Sequence, residues 1–142
     1  MKTYACYDST GKYIVAGTSQ GDLTPYDIPD GCSVYYGEVS IVTQYHDIAT
    51  GTPANKGMPP ADGYKFNYDT KSWDADIAYL IYKTNAVRLQ KLLDSDWTDT
   101  ASAPARLGQT LYNQWQTYRQ ALRDITTQST YPTTVVWPTP PQ

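Results

Sequence analysis

The chain holds one histidine, one phenylalanine, two cysteines and two methionines in 142 residues. A single histidine confines imidazole chemistry to His46. Cys6 and Cys32, with no CxxC and no Cys/His cluster, argue against structural zinc and give no metal site. The two are able to pair, but two cysteines in a reducing compartment usually stay free thiols. No apolar run approaches the ~20 residues that span a bilayer, so membrane insertion is not expected. Met1-Lys2-Thr3-Tyr4-Ala5-Cys6 carries no apolar core and no cleavage site, so a cytoplasmic site of synthesis without a signal peptide is expected. A basic run is also missing. Eleven Lys and Arg are scattered against fourteen Asp and Glu, for a net charge of −3 and a pI near 4.9. That balance excludes a nucleic-acid binder held by phosphate contacts.

What the chain does have is tyrosine, with fourteen Tyr and four Trp. These side chains join a large apolar body to a polar tip and suit wet or partly exposed contacts. Tyr also favours strands, so Tyr-rich β-structure is the blander reading. The length fits one domain or two small ones, enough for a core without staples. Composition shifts near residue 73. Residues 1–72 are rich in Tyr, Gly, Thr and Pro, whereas 73–142 are richer in Leu, Ala, Gln and charge. The expected organisation is a β-rich N-terminal docking domain over 1–72 and a helical domain over 73–142.

Thr3–Tyr7 and Lys12–Ala16 read as strands of a hairpin, joined through Asp8-Ser9-Thr10-Gly11. Ser33–Tyr36 and Glu38–Tyr45 are β-branched and aromatic and read as strands, with a break or bulge at Gly37. Gly17–Gly31 reads as loop. So does Ala49–Gly63, with three Gly and three Pro. Tyr64–Tyr68 alternates as a half-buried strand does. A first helix is expected over about 74–93, capped by Ser72 or Asp74, with Asp76 in its first turn. Ile77, Leu80, Ile81, Thr84, Val87 and Leu92 share one face; Tyr82, Leu89 and Leu93 share a second, which calls for a second partner. A second helix is expected over about 107–128, its start weakened by Gly108. Its stripe is Leu111, Trp115, Tyr118, Leu122 and Ile125. The linker 94–106 contains Pro104, and two helices so joined are expected to pack as an antiparallel hairpin. Val135–Trp137 is extended, and Pro138, Pro140 and Pro141 favour polyproline II geometry. The expected class is therefore α+β: a small antiparallel β part, a two-helix hairpin and a Pro-rich C-terminal arm.

Candidate chemistry is thin. His46 stands beside Asp47, but neighbours on a strand face opposite ways, and no Ser or Cys nucleophile has a known flanking signature. It reads as a surface or partly buried strand-end residue. The acid pairs Asp94/Asp96 and Asp74/Asp76 would suit the two-carboxylate chemistry of glycoside hydrolysis, yet they sit where helices end and cap. Gly51–Gly57 lacks the Lys-Ser/Thr close of a phosphate loop, and there is no GxGxxG and no calcium loop. No catalytic residue, no metal and no cofactor are expected, and the chain reads as a non-enzyme. Arg119, Arg123 and Asp124 lie off the apolar stripe. They read either as charged partners across the hairpin, with Asp94 or Asp96, or as an exposed docking edge.

Three motifs stand in order: Leu92-Leu93-Asp94-Ser95-Asp96-Trp97-Thr98, then Tyr118-Arg119-Gln120-Ala121-Leu122-Arg123-Asp124-Ile125-Thr126-Thr127-Gln128, then Pro132 and Val136-Trp137-Pro138. Together they resemble the phage tail assembly chaperone-like module, also found at the ends of tail-fibre and related tail proteins. The resemblance covers about residues 73–141. Tyr64–Trp73 is similar to the short strand that often precedes the module, and residues 1–48 resemble the family only loosely. The resemblance implies a phage or prophage tail protein; the chain is expected to dock to other tail proteins as a homo-oligomer or multi-copy assembly, made in the host cytoplasm and found in the virion tail. Two readings follow: a structural part of the baseplate or fibre-attachment region, or a transient assembly chaperone; a third, from another class, is a small glycan-binding or glycan-cutting domain whose aromatics stack on sugars. Candidate interface residues are Tyr82, Leu89 and Leu93 on the second face of helix one, Arg119 and Arg123 on helix two, and Trp137 and Pro138 in the arm.

Overall fold

In the computed structural model all 142 residues are described, and the chain divides into two compact units, Met1–Asp74 and Ala75–Gln142. Strands fill the first and helices the second, an α+β chain.

The first unit is built from three small sheets. In the first, β1 (Lys2–Tyr7) lies between β2 (Tyr13–Ser19) and β3 (Ser33–Tyr36), both antiparallel to it. Asp8 makes the β1–β2 turn, its carboxylate accepting from the Thr10 amide, the Thr10 hydroxyl and the Lys12 amide. Gly11 closes it at φ +82, and a Cβ there would overlap the His46 carbonyl oxygen. Two further pairs are β4 (Gln44–Asp47) with β5 (Thr52–Asn55), and β6 (Tyr64–Asn67) with β7 (Ser72–Ala75). The His46 amide donates to the Gly11 carbonyl at 2.8 Å, and the Lys71 ammonium donates to the carbonyls of Thr10 and Tyr68, so the pieces are stitched together.

Aliphatic residues are scarce in this core, and rings replace them. His46 is buried, stacked on Tyr7 at 3.8 Å between centroids, with Tyr13 and Tyr35 edging it. Its Nδ1 hydrogen-bonds the Tyr13 hydroxyl at 3.3 Å. Desolvation pushes the imidazole below its ordinary pKa, with Asp47 opposing, and burial pushes the Tyr13 phenol up to about 12. A second group gathers Tyr45, Phe66, Tyr68 and Trp73 around Phe66, with the Lys56 ammonium 5.0 Å from the Tyr68 ring centre. Burial also raises the Cys6 thiol, and both Cys6 and Cys32 are free.

Two segments differ from the sequence reading. Glu38–Tyr45 is strand only from Gln44 onward; Ile41 and Val42 instead form an exposed turn whose carbonyls accept from the Lys56 ammonium at 3.1 and 3.0 Å. The expected loop Ala49–Gly63 contains β5, which tolerates Pro53 because it pairs on one side only.

In the second unit, α1 runs Ile77–Asp94, capped by Asp76, whose carboxylate accepts the Tyr79 amide at 3.2 Å. Asp74, expected as a cap, instead accepts from the Asn67 side chain at 2.7 Å, and Ser72 lies in β7. The expected linker 94–106 holds a 3-10 turn at Asp96–Thr98 and most of a short helix, α2 (Ala103–Leu107), and the expected second helix over 107–128 is α3 (Gln109–Arg123) followed by a 3-10 turn at Asp124–Thr127. Pro104 sits in the first turn of α2, where its missing N–H is harmless. Gly108, at φ +77, separates α2 from α3. The core is Tyr118, Leu122 and Ile125, with Leu92, Trp115, Tyr131, Val135 and Trp137 packed against it. Leu122 and Ile125 are wholly buried, worth about 1.5–3 kcal/mol each in gross transfer free energy. No helix is long and apolar enough to cross a membrane.

Candidate partner-docking site

The first motif ends α1, and Leu92, Ser95, Trp97 and Thr98 have places in that ending. The Ser95 amide returns to the Leu92 carbonyl, and its hydroxyl donates to the carbonyls of Lys91 and Leu92 at 2.9 and 3.0 Å. These are among the carbonyls that a helix leaves unpaired at its C-terminus. Thr98, fully buried, donates its hydroxyl to the Ser95 carbonyl at 2.7 Å. Trp97 meets Trp115 of α3 edge to face at 5.4 Å, and Arg106 of α2 donates to the Trp97 carbonyl at 2.9 Å.

Arg119 of α3 completes the joint. One terminal nitrogen donates to the Leu92 carbonyl and to the Ser95 hydroxyl, both at 2.8 Å. The other donates to Asp96 at 2.9 Å and to Asp99 at 3.3 Å, while Arg123 approaches Asp99 at 3.8 Å. A cation at a helix C-terminus is electrostatically favoured, and the flat guanidinium fork alone reaches four acceptors at once. Nε of Arg119 is buried without a partner.

This corrects the placement of Arg119 at a partner surface. The residue is 5 % exposed and bound inside the chain, in line with the other reading, an internal partner for Asp96. Arg123 keeps 44 % of its side chain exposed. Tyr82, Leu89 and Leu93 are exposed at 73, 58 and 54 %. Their spacings of seven and four put them in one row along α1, with exposed Ala86 between. Trp137 is half-buried on the core, with the Lys91 ammonium 5.7 Å from its ring centre. Pro138 borders a groove of about 430 Å³ with Gln114, Thr117, Tyr118, Ala121 and Pro141. Burial, and then the charge of Asp94, push the Tyr118 phenol above its ordinary pKa.

The acid pairs have structural partners. Asp96 holds Arg119, Asp94 accepts from Gln90 at 2.7 Å, Asp74 accepts from Asn67 and Asp76 caps α1. Sequence reasoning missed Asp99, Ser95 and Gln128. Gln128 clamps the arm, its amide donating to the Val136 carbonyl at 2.8 Å and accepting the Val136 N–H at 2.9 Å. The Gln128–Val136 separation gives no local signal, although Ser95 just past the last apolar residue of α1 is a capping signal.

Residues 83–142 match the family described as phage tail assembly chaperone protein. No curated protein and no solved structure gives a significant match. The matched span begins inside α1, and takes in the Arg119 joint and the arm.

Proposed function

We propose, from the family match over residues 83–142, that this chain is a non-enzymatic bacteriophage tail protein that acts by docking to other tail proteins. The observation that carries the reading is that match, which points to tail assembly. The acids and the histidine singled out by the sequence all have structural partners: Asp76 caps α1, Asp96 pairs with Arg119, Asp74 and Asp94 accept from side-chain amides, and His46 stacks on Tyr7. The exposed row Tyr82, Leu89 and Leu93 is apolar and in line, as a surface for other tail proteins or further copies would be. Within this reading the chain is a lasting part of the baseplate or fibre-attachment region. The family description itself favours a second reading, an assembly factor that leaves before the particle matures.

Mass spectrometry of purified particles separates them. The lasting role requires this chain in mature virions at a fixed copy number. Its presence in infected-cell lysate and absence from particles would sink that role and assign the transient one. Its absence from both tail intermediates and particles would overturn the tail reading itself.

A further inference from the structure

The register of the first sheet makes its two thiols neighbours. Cys6 of β1 pairs with Val34 of β3, and Cys32 stands just before β3, two residues from Val34. Side chains two apart on an extended chain share a face, so Cys32 is the diagonal neighbour of Cys6. The class of pair brings them closer. The Gly37 amide donates to the Thr3 carbonyl at 2.9 Å, so Thr3 and Gly37 form a hydrogen-bonded pair. Alternation gives Ala5–Tyr35 and Tyr7–Ser33 the same class. Cys6–Val34 falls between them, in the class whose side chains approach more closely. The Cys6 thiol registers its neighbour: burial raises its pKa first, and the charge of Cys32 adds to the rise.

Diagonal neighbours lie about 7–8 Å apart at Cα, and a disulfide asks for less than about 7 Å. The shortfall is small, and it falls on a segment with room to move. The Cys32 amide closes a turn by donating to the Pro29 carbonyl at 3.0 Å. Gly31 within that turn has open space around it, since a Cβ there would meet nothing within 4 Å. A surface hollow of about 270 Å³ lies beside the turn, bordered by Pro25, Ile28, Pro29 and Cys32. Cys6, in contrast, is wholly buried in the central strand. One thiol is fixed, and the other is half-exposed on a turn that can follow it.

We propose that Cys6 and Cys32 are a redox pair that closes to a disulfide when the chain meets oxidised glutathione, stapling the turn before β3 onto β1. The half-exposed Cys32 thiolate attacks one sulfur of the oxidant, forms a mixed disulfide and expels one glutathione thiolate. The Cys6 thiolate then attacks the Cys32 sulfur and expels the second. Two protein thiols are oxidised, one glutathione disulfide is reduced to two thiols, and the two protein protons pass through water to the leaving thiolates. The chain is open in a reducing cytoplasm and stapled outside one. The proposal concerns these two thiols alone, so its failure leaves the tail reading standing.

The test incubates the folded full-length chain, without denaturant, in glutathione mixtures from fully reduced to fully oxidised. Free thiols are counted, the intact mass is measured and linked peptides are mapped. The expected oxidised product is a monomer without free thiols, lighter by two hydrogens and linked from Cys6 to Cys32. Its melting midpoint should rise by about 5–10 °C over the reduced chain, because the bond restrains the unfolded loop that contains β2. Cys6→Ala should stop at the mixed disulfide, with one glutathione on Cys32. Cys32→Ser should leave the buried Cys6 unmodified. The proposal is overturned if both thiols stay free at full oxidation, or if the unaltered chain keeps a glutathione on Cys32 that never resolves. A dimer joined through Cys32, a Cys6–Cys32 bond that forms only in urea, or a bond that lowers the melting midpoint overturns it as well.

Discussion

Arg119 shows what one side chain does when its geometry fits four acceptors. Its carboxylate partners are partly exposed, 57 % for Asp96 and 43 % for Asp99, so solvent screens the ionic part. The hydrogen bonds to Leu92 and Ser95 lie deeper and matter more. Arg119→Met keeps the volume and loses the bonds, and should cost about 1–3 kcal/mol in chemical denaturation. Arg119→Lys keeps the charge and should cost nearly as much, because a single ammonium cannot span the fork. A Lys variant as stable as the parent would show that charge alone suffices. His46 makes a different prediction. Its pKa in the folded chain lies below its ordinary value of 6.5, so the unfolded chain binds the proton first as pH falls. Stability should be level above about pH 6.5, fall below it, and level off once the folded imidazole also protonates. Asp8, where desolvation is outweighed by the hydrogen bonds from Thr10 and Lys12 together, and Asp27, held by Thr24, both lie below the ordinary 3.8 and lose their contributions only at lower pH. Urea denaturation between pH 5 and 8 should therefore slope in the parent and run flat in His46→Phe. An equal slope in both would remove His46 as the cause.

Among the elements, those specified by neighbours in sequence were legible and those specified from afar were not. The β1–β2 hairpin follows from Asp8 and Gly11, both inside the turn they make. The α3 stripe follows from its own spacing: Tyr118 and Leu122, with Ile125 in the 3-10 turn beyond, are buried, and Leu111 and Trp115 are half-buried. Ile41-Val42-Thr43 has strand chemistry yet turns, because Lys56, more than a dozen residues on, holds its carbonyls. Likewise β5 looks like loop until Gln44–Asp47 is beside it. At the candidate site, Tyr82, Leu89 and Leu93 are exposed, but so are Ile77 and Val87 of the other expected face, whereas the depth of Arg119 depends on where Ser95 and Asp99 fall in space. The helix break at Gly108 was visible only as a weak first turn. Its φ of +77 with ψ of 149 is a region that L side chains avoid, and a Cβ there meets nothing within 4 Å. Gly108→Ala should therefore cost about 1–3 kcal/mol by backbone strain alone, read as a lowered Tm. An unchanged Tm with greater helical circular dichroism would mean that α2 and α3 simply fuse.

The whole molecule joins two units of different making. Met1–Asp74 relies on rings, lysine stems and short sheets, and Ala75–Gln142 on helices joined by Arg119 and clasped by the arm. The family match falls in the second unit alone. The tryptophans are unevenly shared between the two. Trp73 stands in the first unit, and Trp97, Trp115 and Trp137 in the second. Emission excited selectively at the indoles will thus report mainly on the helical unit, and near-ultraviolet tyrosine ellipticity on both. If the units unfold separately, the two signals will give different midpoints in one urea titration; coincident midpoints would establish a single cooperative transition. The placement of four indoles makes this chain its own two-channel recorder, with no label to attach.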